Sequence, residues 1–271
     1  MTQDTPTIPV LHHLARSGGT LISKCLGSLP GVTLLSEIHP AGSGFESAFG
    51  MPQFHPGRQA SAWFGLLEPS EVKPLAPMDP AFPALIAEIA RRCRDRGSTL
   101  VLRDWSHLDY IGEPWITDPP CRSVLVDVLE HAGLGVTRAC TTRHPADQWM
   151  SSRGLDALAK LDLGRYLTGC KRFAEAANEI GFVRYEDFCR DPAPTLRDLS
   201  RRLGVAYDPS WMDRWRSYTT ITGETSGGRG GRGRSAQIKP LDRRPIPPAL
   251  RAAFDAHPDY APACALMGYD P

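Results

Sequence analysis

The sequence of 271 residues lacks the features that mark several large classes of protein. Its formal net charge is only +1, from 31 basic and 30 acidic side chains, so the molecule as a whole has no electrostatic attraction for DNA or for an anionic membrane. No stretch approaches the roughly 18 consecutive apolar residues of a membrane-spanning helix. The N-terminus has no basic cluster and no long apolar run, so we predict a soluble protein without a signal peptide.

Closely spaced cysteines are missing, and lysines are rare. The seven cysteines are odd in number, widely spread and never arranged as CxxC. This argues against a disulfide framework and against a zinc site, and it favours a reducing compartment. We therefore predict a cytoplasmic protein without a bound metal. Lysine occurs at only five positions, so most basic residues are arginines, whose planar guanidinium groups suit phosphate and sulfate.

The sequence does contain short apolar runs that alternate with longer helical patterns, which is typical of βαβ units and a mainly parallel sheet. The predicted strands are residues 8–14, 32–36, 99–102, 136–142 and 182–185. The predicted helices are residues 20–29, 84–96, 123–131, 156–178 and 195–203, with another beginning near residue 145 and a short one at about 60–67. Because no repeat or linker interrupts the pattern, we predict a single α/β domain over residues 1–271.

Two segments depart from this alternation. Residues 39–83 are rich in Pro, Gly and Ser, and we interpret them as an irregular cover or acceptor region. Their aromatic side chains hint at an apolar acceptor (Phe45, Phe49, Phe54, Trp63, Phe64). Residues 223–239 are rich in glycine and arginine, and their 227–234 part resembles an RGG segment that binds single-stranded nucleic acid. The run is short in a near-neutral chain and has no interleaved aromatics, so we expect no nucleic-acid partner.

The first chemical signal is the small-residue turn at residues 14–20, between a predicted strand and a predicted helix. Glycines let backbone N–H groups approach an anion, and the helix N-terminus adds unpaired donors and a positive dipole end. Arg16 adds a bidentate charge, and Ser17 and Thr20 add hydroxyl donors. The turn is therefore predicted to hold a phosphate or sulfate, with an ordinary capped βα turn as the alternative. It lacks the GK[ST] ending of a Walker A loop, which disfavours an ATP- or GTP-driven kinase.

The letters of this turn carry a family resemblance. Arg16-Ser17-Gly18-Gly19-Thr20 resembles the 5′-phosphosulfate-binding loop of sulfotransferases that use 3′-phosphoadenosine 5′-phosphosulfate (PAPS), which commonly reads R-S-G-T-T or K-S-G-T-T. The chain departs at Gly19, where the family usually has a hydroxyl. The resemblance implies a three-layer α/β/α P-loop-type fold with a central, mainly parallel sheet, the site at the strands' C-terminal ends, and PAPS as co-substrate without a metal. It also implies that Arg16 stabilises charge on the transferring group.

Candidate catalytic residues follow from the same resemblance. Glu37 lies 21 positions after Arg16 (37 − 16 = 21), where the tyrosylprotein and related branches place their general base; the alternative is a surface glutamate at a strand end. Arg103 stands in the place of a charge-neutralising lysine of those branches. His107 is a second candidate base, because the cytosolic branch uses a histidine, and the alternative is a structural histidine.

Further cofactor-binding residues are implied by three more segments. Residues 143–151 resemble the family's 3′-phosphate segment, which assigns Arg143 and Ser151 to that phosphate. Residues 183–188 resemble its RYEDL stretch, in which Tyr185 would lie near the adenine; an aromatic closing the core is the alternative. Residues 234–240 resemble the family's closing loop, so Arg234 and Lys239 would reach the cofactor phosphates, and residues 223–239 would form a flexible loop that closes over the cofactor.

Together these segments predict a sulfotransferase that acts on a hydroxyl or amine of a small-molecule, carbohydrate or peptide acceptor, with no membrane partner. Two alternatives stay open at this point. One is a P-loop-like nucleotide-dependent small-molecule kinase, and the other is a non-catalytic PAPS- or nucleic-acid-binding homologue. The acceptor and the oligomeric state are not readable from the residues.

Overall fold

The computed structural model of the protein describes residues 6–45, 50–223 and 237–271. Its centre is a sheet of five strands that are all parallel, in the order β2-β3-β1-β4-β5. This confirms the predicted parallel sheet. The strands are β1 (Thr7–His13), β2 (Val32–Ile38), β3 (Thr99–Asp104), β4 (Gly135–Thr142) and β5 (Phe182–Arg184).

The described α-helices connect and cover these strands. They are α1 (Gly19–Gly27), α2 (Pro56–Phe64), α3 (Phe82–Asp95), α4 (Ser106–Tyr110), α5 (Val124–His131), α6 (Pro145–Ser152), α7 (Leu163–Ile180), α8 (Tyr185–Arg190), α9 (Pro192–Leu203), α10 (Trp211–Arg214), α11 (Pro248–Ala256) and α12 (Tyr260–Leu266). Within the described ranges, none of these helices combines the length and the apolar character needed to span a membrane.

Side chains of the central strand β1 belong to different apolar clusters because successive residues of a strand point to opposite faces. Ile8 and Val10 pack with the α3 and α5 side of the sheet. Leu11 packs with α1 and α9 on the other side. Helices therefore cover both faces, and the predicted three-layer α/β/α arrangement is confirmed. The two strands β1 and β3 carry consecutive apolar side chains because both of their faces are buried.

The register of the strands determines which loops lie next to one another at the carboxyl ends of the sheet. Val10 of β1 is level with Leu102 of β3, and His13 of β1 is level with Thr141 of β4. The carboxyl ends of β1, β3 and β4 therefore lie at the same end of the sheet. The predicted anion loop and the segments that follow Arg103 and Thr142 meet there, which is the usual ligand site of an open parallel sheet.

Local capping corrects two predicted boundaries. The helix predicted for residues 156–178 begins only at Leu163, since the Asp162 side chain accepts the Arg165 N–H and caps the helix there. The strand predicted for 182–185 ends at Arg184, and Tyr185 opens the short helix α8. A six-residue helix is too short to show an amphipathic period, so the sequence pattern does not predict it.

Candidate active site

The turn after β1 is a tight loop that leads directly into α1. Gly18 has φ 87° and precedes the helix, which begins at Gly19. A Cβ built on Gly18 would lie 2.1 Å from the Tyr185 ring, so only glycine fits there. The Ser17 hydroxyl is buried without a hydrogen-bond partner in the described ranges. A buried donor that lacks a partner beside a helix N-terminus fits an anion.

Arginine side chains surround this loop on the β4 side. The Arg16 Nε donates to the Ser151 hydroxyl at 3.1 Å, and the Arg143 Nη1 donates to the Arg16 carbonyl at 3.1 Å. Arg244 donates to the Met150 carbonyl at 3.2 Å. The pKa of Arg16 is lowered, first by burial and then by the charges of Arg143 and Arg244. Positive groups that repel one another in this way are stabilised by a bound polyanion.

Arg143 and Ser151, the residues predicted for the 3′-phosphate, both contact Arg16 in the structure. Arg244 is not among the predicted residues, because no motif spacing distinguishes it from the other arginines of the late segment. Lys239 lies in the same late segment and is exposed. Arg234 lies outside the described residues, so its predicted role stays a prediction.

Two side chains anchor the loop from behind. The Tyr185 ring is 1% exposed and packs against Gly18, and the Arg143 guanidinium lies 5.0 Å from the ring centroid. Gln148, on α6, donates to the Ala15 carbonyl at 2.7 Å. These contacts make Tyr185 a support for the loop and for Arg143. Its predicted place near an adenine remains a prediction.

Arg103, at the end of β3, is a buried centre of hydrogen bonds. Its Nε donates to the His13 Nε2 at 2.5 Å, its Nη1 to the Ser36 hydroxyl at 2.9 Å, and its Nη2 to the Thr20 hydroxyl at 3.3 Å. Because His13 Nδ1 donates to the Leu14 carbonyl at 3.1 Å, the Nε2 of a neutral ring is left to accept. Burial and then the Arg103 charge hold the pKa of His13 well below its usual value. These hydrogen bonds therefore fix the orientation of the Arg103 guanidinium.

Glu37 lies beside Arg103, on the side of β2. Its Oε1 lies 3.5 Å from the Arg103 Nη2, and its side chain is 16% exposed. Glu37 has φ 55°, and the pairing of β2 with β3 shifts register between Ser36 and Ile38. This bulge turns two consecutive side chains, Ser36 and Glu37, toward the same guanidinium, whereas consecutive residues of a regular strand point to opposite faces.

Thr222 and Gly223, much later in the chain, also lie next to Arg103 and Glu37. The Thr222 carbonyl accepts from the Arg103 Nη1 at 3.2 Å, and the Thr222 and Ser36 hydroxyls are 2.7 Å apart. A Cβ on Gly223 would lie 3.1 Å from the Thr20 hydroxyl and 3.7 Å from the Glu37 Oε1. The start of the predicted closing loop at 223–239 thus lies at the carboxylate, while residues 224–236 are outside the described residues.

The structure places His107 in its own buried environment on α4. Its Nε2 donates to the Glu113 carbonyl at 3.0 Å, and its Nδ1 is buried with no partner among the residues described. This hydrogen bond does not join His107 to the Glu37 and Arg103 group. Its predicted role as a second base stays a prediction. Burial lowers the pKa of His107 to about 4.

This pKa predicts a pH-dependent stability. An unfolded histidine takes up a proton near pH 6.5, whereas folded His107 does so only near pH 4. Unfolding is therefore favoured as the pH falls from about 6.5 to about 4, by about 3 kcal/mol if this group acts alone. Urea unfolding across this range should show the loss, and His107→Gln, which cannot titrate but can still donate to Glu113, should show a smaller one. An equal loss in both proteins would contradict the assignment.

Two other histidines near the carboxyl ends of the strands form buried pairs with aspartates. His12 Nδ1 donates to Asp104 at 2.7 Å, and His39 Nε2 donates to Asp109 at 3.0 Å. Both carboxylates are fully buried, so a histidine partner is a structural requirement. In the parts of the chain that the structure covers, no group of three His, Cys, Asp or Glu side chains is arranged to hold a metal ion.

An aromatic cluster covers the ends of β2 and β3. Phe54 and Trp105 have ring centroids 4.1 Å apart, Phe45 lies 5.7 Å from Trp105, and Trp115 lies 5.1 Å from Trp105. Two of the aromatics singled out in the sequence, Phe45 and Phe54, are therefore members. The others are on α2 (Trp63, Phe64) or outside the described residues (Phe49).

Solved structures with this architecture identify the fold. The chain is similar to the sulfotransferase domain from the Synechococcus PCC 7002 olefin synthase, with a TM-score of 0.69 and 19% identity over 100% of this chain and 98% of that chain. It is also similar to the sulfotransferase domain from the curacin biosynthetic pathway, with a TM-score of 0.56 and 14% identity over 98% of each chain. No family model and no curated protein sequence matches the chain. The chain therefore has the sulfotransferase fold.

Proposed function

We propose that this protein is a sulfotransferase that transfers a sulfuryl group from PAPS to a hydroxyl or amine, with Glu37 as the general base. The observation that carries the proposal is the arrangement around one loop. On its β4 side lie three arginines, here called the arginine cradle (Arg16, Arg143 and Arg244). On its β2 side the Glu37 carboxylate lies beside the fixed Arg103. A donor with phosphates needs the positive charges, an acceptor that loses a proton needs the carboxylate, and the two substrates must lie on opposite sides of the transferred group.

The residues present fit the donor. PAPS supplies an activated sulfuryl group on its 5′-phosphate and carries a second phosphate at the 3′ position. Ser17, with its unpaired buried hydroxyl, and the first amides of α1 would hold the 5′ group. Arg143 and Ser151 would hold the 3′-phosphate, with Arg244 as an additional cation. Three guanidinium groups at one place suit an oxyanion with several charges.

The transfer needs a proton acceptor and a stabiliser of negative charge. Glu37 accepts the proton of the acceptor hydroxyl as that oxygen bonds to sulfur and the bond from sulfur to the 5′-phosphate oxygen breaks. Arg103 is held by His13, Ser36 and Thr20, so it needs no reorganisation to stabilise charge on the sulfuryl oxygens. Its charge is fixed in place before the reaction, and preorganised electrostatic stabilisation of this kind typically contributes about 10²- to 10³-fold in rate.

The sheet order separates the two substrates. The arginine cradle lies over β1 and β4, whereas Glu37 is the penultimate residue of the edge strand β2, so the acceptor would approach over β2 and β3. Trp105 follows β3 there, and its N–H donates to the Ile38 carbonyl at 3.2 Å, one residue beyond Glu37. The aromatic cluster around Trp105 favours a small-molecule acceptor with an apolar body. Faster sulfation of a carbohydrate or a peptide would contradict this choice of acceptor.

A turnover assay tests the proposal. The protein would be incubated with PAPS and matched panels of apolar alcohols, phenols, sugars and tyrosine peptides. We expect 3′,5′-adenosine bisphosphate and a sulfated acceptor to form in equal amounts, fastest with an apolar alcohol or phenol. If the bisphosphate binds but no panel member is sulfated, the chain is a non-catalytic homologue and the proposal is wrong.

Arg143 gives a separate test of the donor. Arg143→Ala should weaken PAPS binding by about 10- to 100-fold, as expected for loss of charged hydrogen bonds, and should weaken adenosine 5′-phosphosulfate much less, because that compound lacks the 3′-phosphate. Calorimetry of both ligands gives the comparison, with the exposed Arg190→Ala as a control. Equal weakening of the two ligands would mean that Arg143 only supports the loop through its bond to the Arg16 carbonyl.

A further inference from the structure

A glutamine outside the sheet holds the main chain next to Glu37. Gln59 lies on α2 and is 2% exposed. Its Oε1 accepts the Ser36 N–H at 2.7 Å, while its Nε2 donates to the Ser36 carbonyl at 2.7 Å and to the Gln53 carbonyl at 2.5 Å. The reversed amide would place its oxygen against two carbonyl oxygens. The orientation of Gln59 is therefore fixed by three main-chain groups.

These bonds replace a missing strand. β2 is at the edge of the sheet, and the N–H and C=O of one strand residue point to the same side. Both Ser36 groups are taken by Gln59, so they face away from β3 and lack a strand partner. Buried main-chain groups need a partner, and Gln59 supplies an amide that pairs with Ser36 as a neighbouring peptide group would.

The next residue in the chain is the strained one. Glu37 has a left-handed φ of 55°, a conformation that a non-glycine residue keeps only when its surroundings enforce it. Gln59 fixes Ser36 on one side of it. On the other side, Trp105 N–H fixes the Ile38 carbonyl at 3.2 Å. Glu37 is thus held between two anchored residues with its carboxylate toward Arg103.

We infer that Gln59 is a positioning residue for the general base: by clamping Ser36 it holds the bulge that directs the Glu37 carboxylate into the site. Gln59 acts through the main chain of Ser36 and reaches Glu37 only indirectly. This inference rests on the proposed role of Glu37 as the base. It assigns a catalytic contribution to α2, a helix that carries no residue of the donor site.

The test replaces Gln59 by methionine, which has a similar length and no hydrogen-bonding amide. Gln59→Met should lower kcat by about 10- to 100-fold, since small misplacements of a catalytic group have effects of this size. The Kd for 3′,5′-adenosine bisphosphate should stay within about two-fold of wild type. In the nucleotide-free protein, amide hydrogen exchange of residues 33–39 should be about 10-fold faster, because the clamp on the strand end is lost.

Gln148→Met is the matched control. Gln148 is 3% exposed and also holds a main-chain carbonyl, that of Ala15, but on the donor side of the site. It should weaken bisphosphate binding and leave exchange of residues 33–39 unchanged. If Gln59→Met is too unstable to isolate, Gln59→Asn, which keeps a buried amide but is one methylene too short, replaces it in the same comparison.

The outcomes are separable from those of the proposed function. If folded Gln59→Met keeps the kcat and the exchange rates of wild type, the inference is wrong. It is also wrong if bisphosphate binding falls in parallel with kcat, because the damage is then general. If the wild-type protein transfers no sulfuryl group, the proposed function fails, and the exchange comparison alone still decides whether Gln59 holds the strand end.

Discussion

Glu37→Gln is expected to lower kcat by about 10²- to 10⁴-fold, the contribution usual for a placed general base. Glutamine keeps the size of the side chain but cannot take the proton of the acceptor. Binding of 3′,5′-adenosine bisphosphate should change little, because Glu37 lies on the β2 side of Arg103 while the arginine cradle lies over β4. Steady-state kinetics with PAPS and calorimetry with the bisphosphate measure the two quantities separately.

Glu175→Gln is a suitable control for this substitution, since Glu175 lies on α7 in surface ion pairs with Lys171 and Arg172. It should leave both quantities unchanged. Equal loss of turnover and of nucleotide binding in Glu37→Gln would mean that the Glu37–Arg103 pair organises the whole site. Full activity in Glu37→Gln would remove Glu37 as the base and leave His107 as the candidate to test.

Gly18→Ala is expected to abolish nucleotide binding, with a loss of affinity of about 100-fold or more. The new methyl group would lie 2.1 Å from the Tyr185 ring, and the backbone has φ 87°, so the loop must move and its amides no longer converge. The strained backbone alone destabilises by about 1–3 kcal/mol. Calorimetry with the bisphosphate and chemical unfolding measure the two effects.

Gly204→Ala separates backbone strain from the clash. Gly204, after α9, has φ 72°, but a Cβ there meets nothing within 4 Å. This variant should lose a similar amount of stability for the backbone and bind the bisphosphate normally. Adding Tyr185→Leu to Gly18→Ala should recover part of the affinity by making room for the methyl group. Normal binding by Gly18→Ala itself would show that the loop after β1 does not hold the nucleotide.

The sequence was sufficient where local patterns dominate the structure. The apolar strands, the glycine turn and the helix after it were predicted because period and turn chemistry act over a few neighbouring residues. The same patterns place Arg16, Arg103 and Arg143 at the ends of three predicted strands. In a parallel sheet the carboxyl ends of the strands lie together, so these three residues are expected at one end of the sheet. Placing these residues there needed no knowledge of individual contacts.

Side-chain partners that are distant in the chain could not be predicted in this way. Gln59 and Ser36 are 23 positions apart, and Gln148 and Ala15 are 133 positions apart, so their pairing depends on how α2 and α6 pack on the sheet. The left-handed backbone of Glu37 was equally hidden, because nothing in a non-glycine residue announces a positive φ.

The proposed function requires that the loop after β1 and its arginines hold a nucleotide with a 3′-phosphate, and calorimetric titration measures this binding. The purified protein would be titrated with 3′,5′-adenosine bisphosphate, ATP and AMP under the same conditions. We expect micromolar binding of the bisphosphate and little binding of ATP or AMP. Preference for ATP would favour a nucleotide-dependent kinase, and no binding of any of the three would make the glycine loop an ordinary turn; either result would contradict the proposed function.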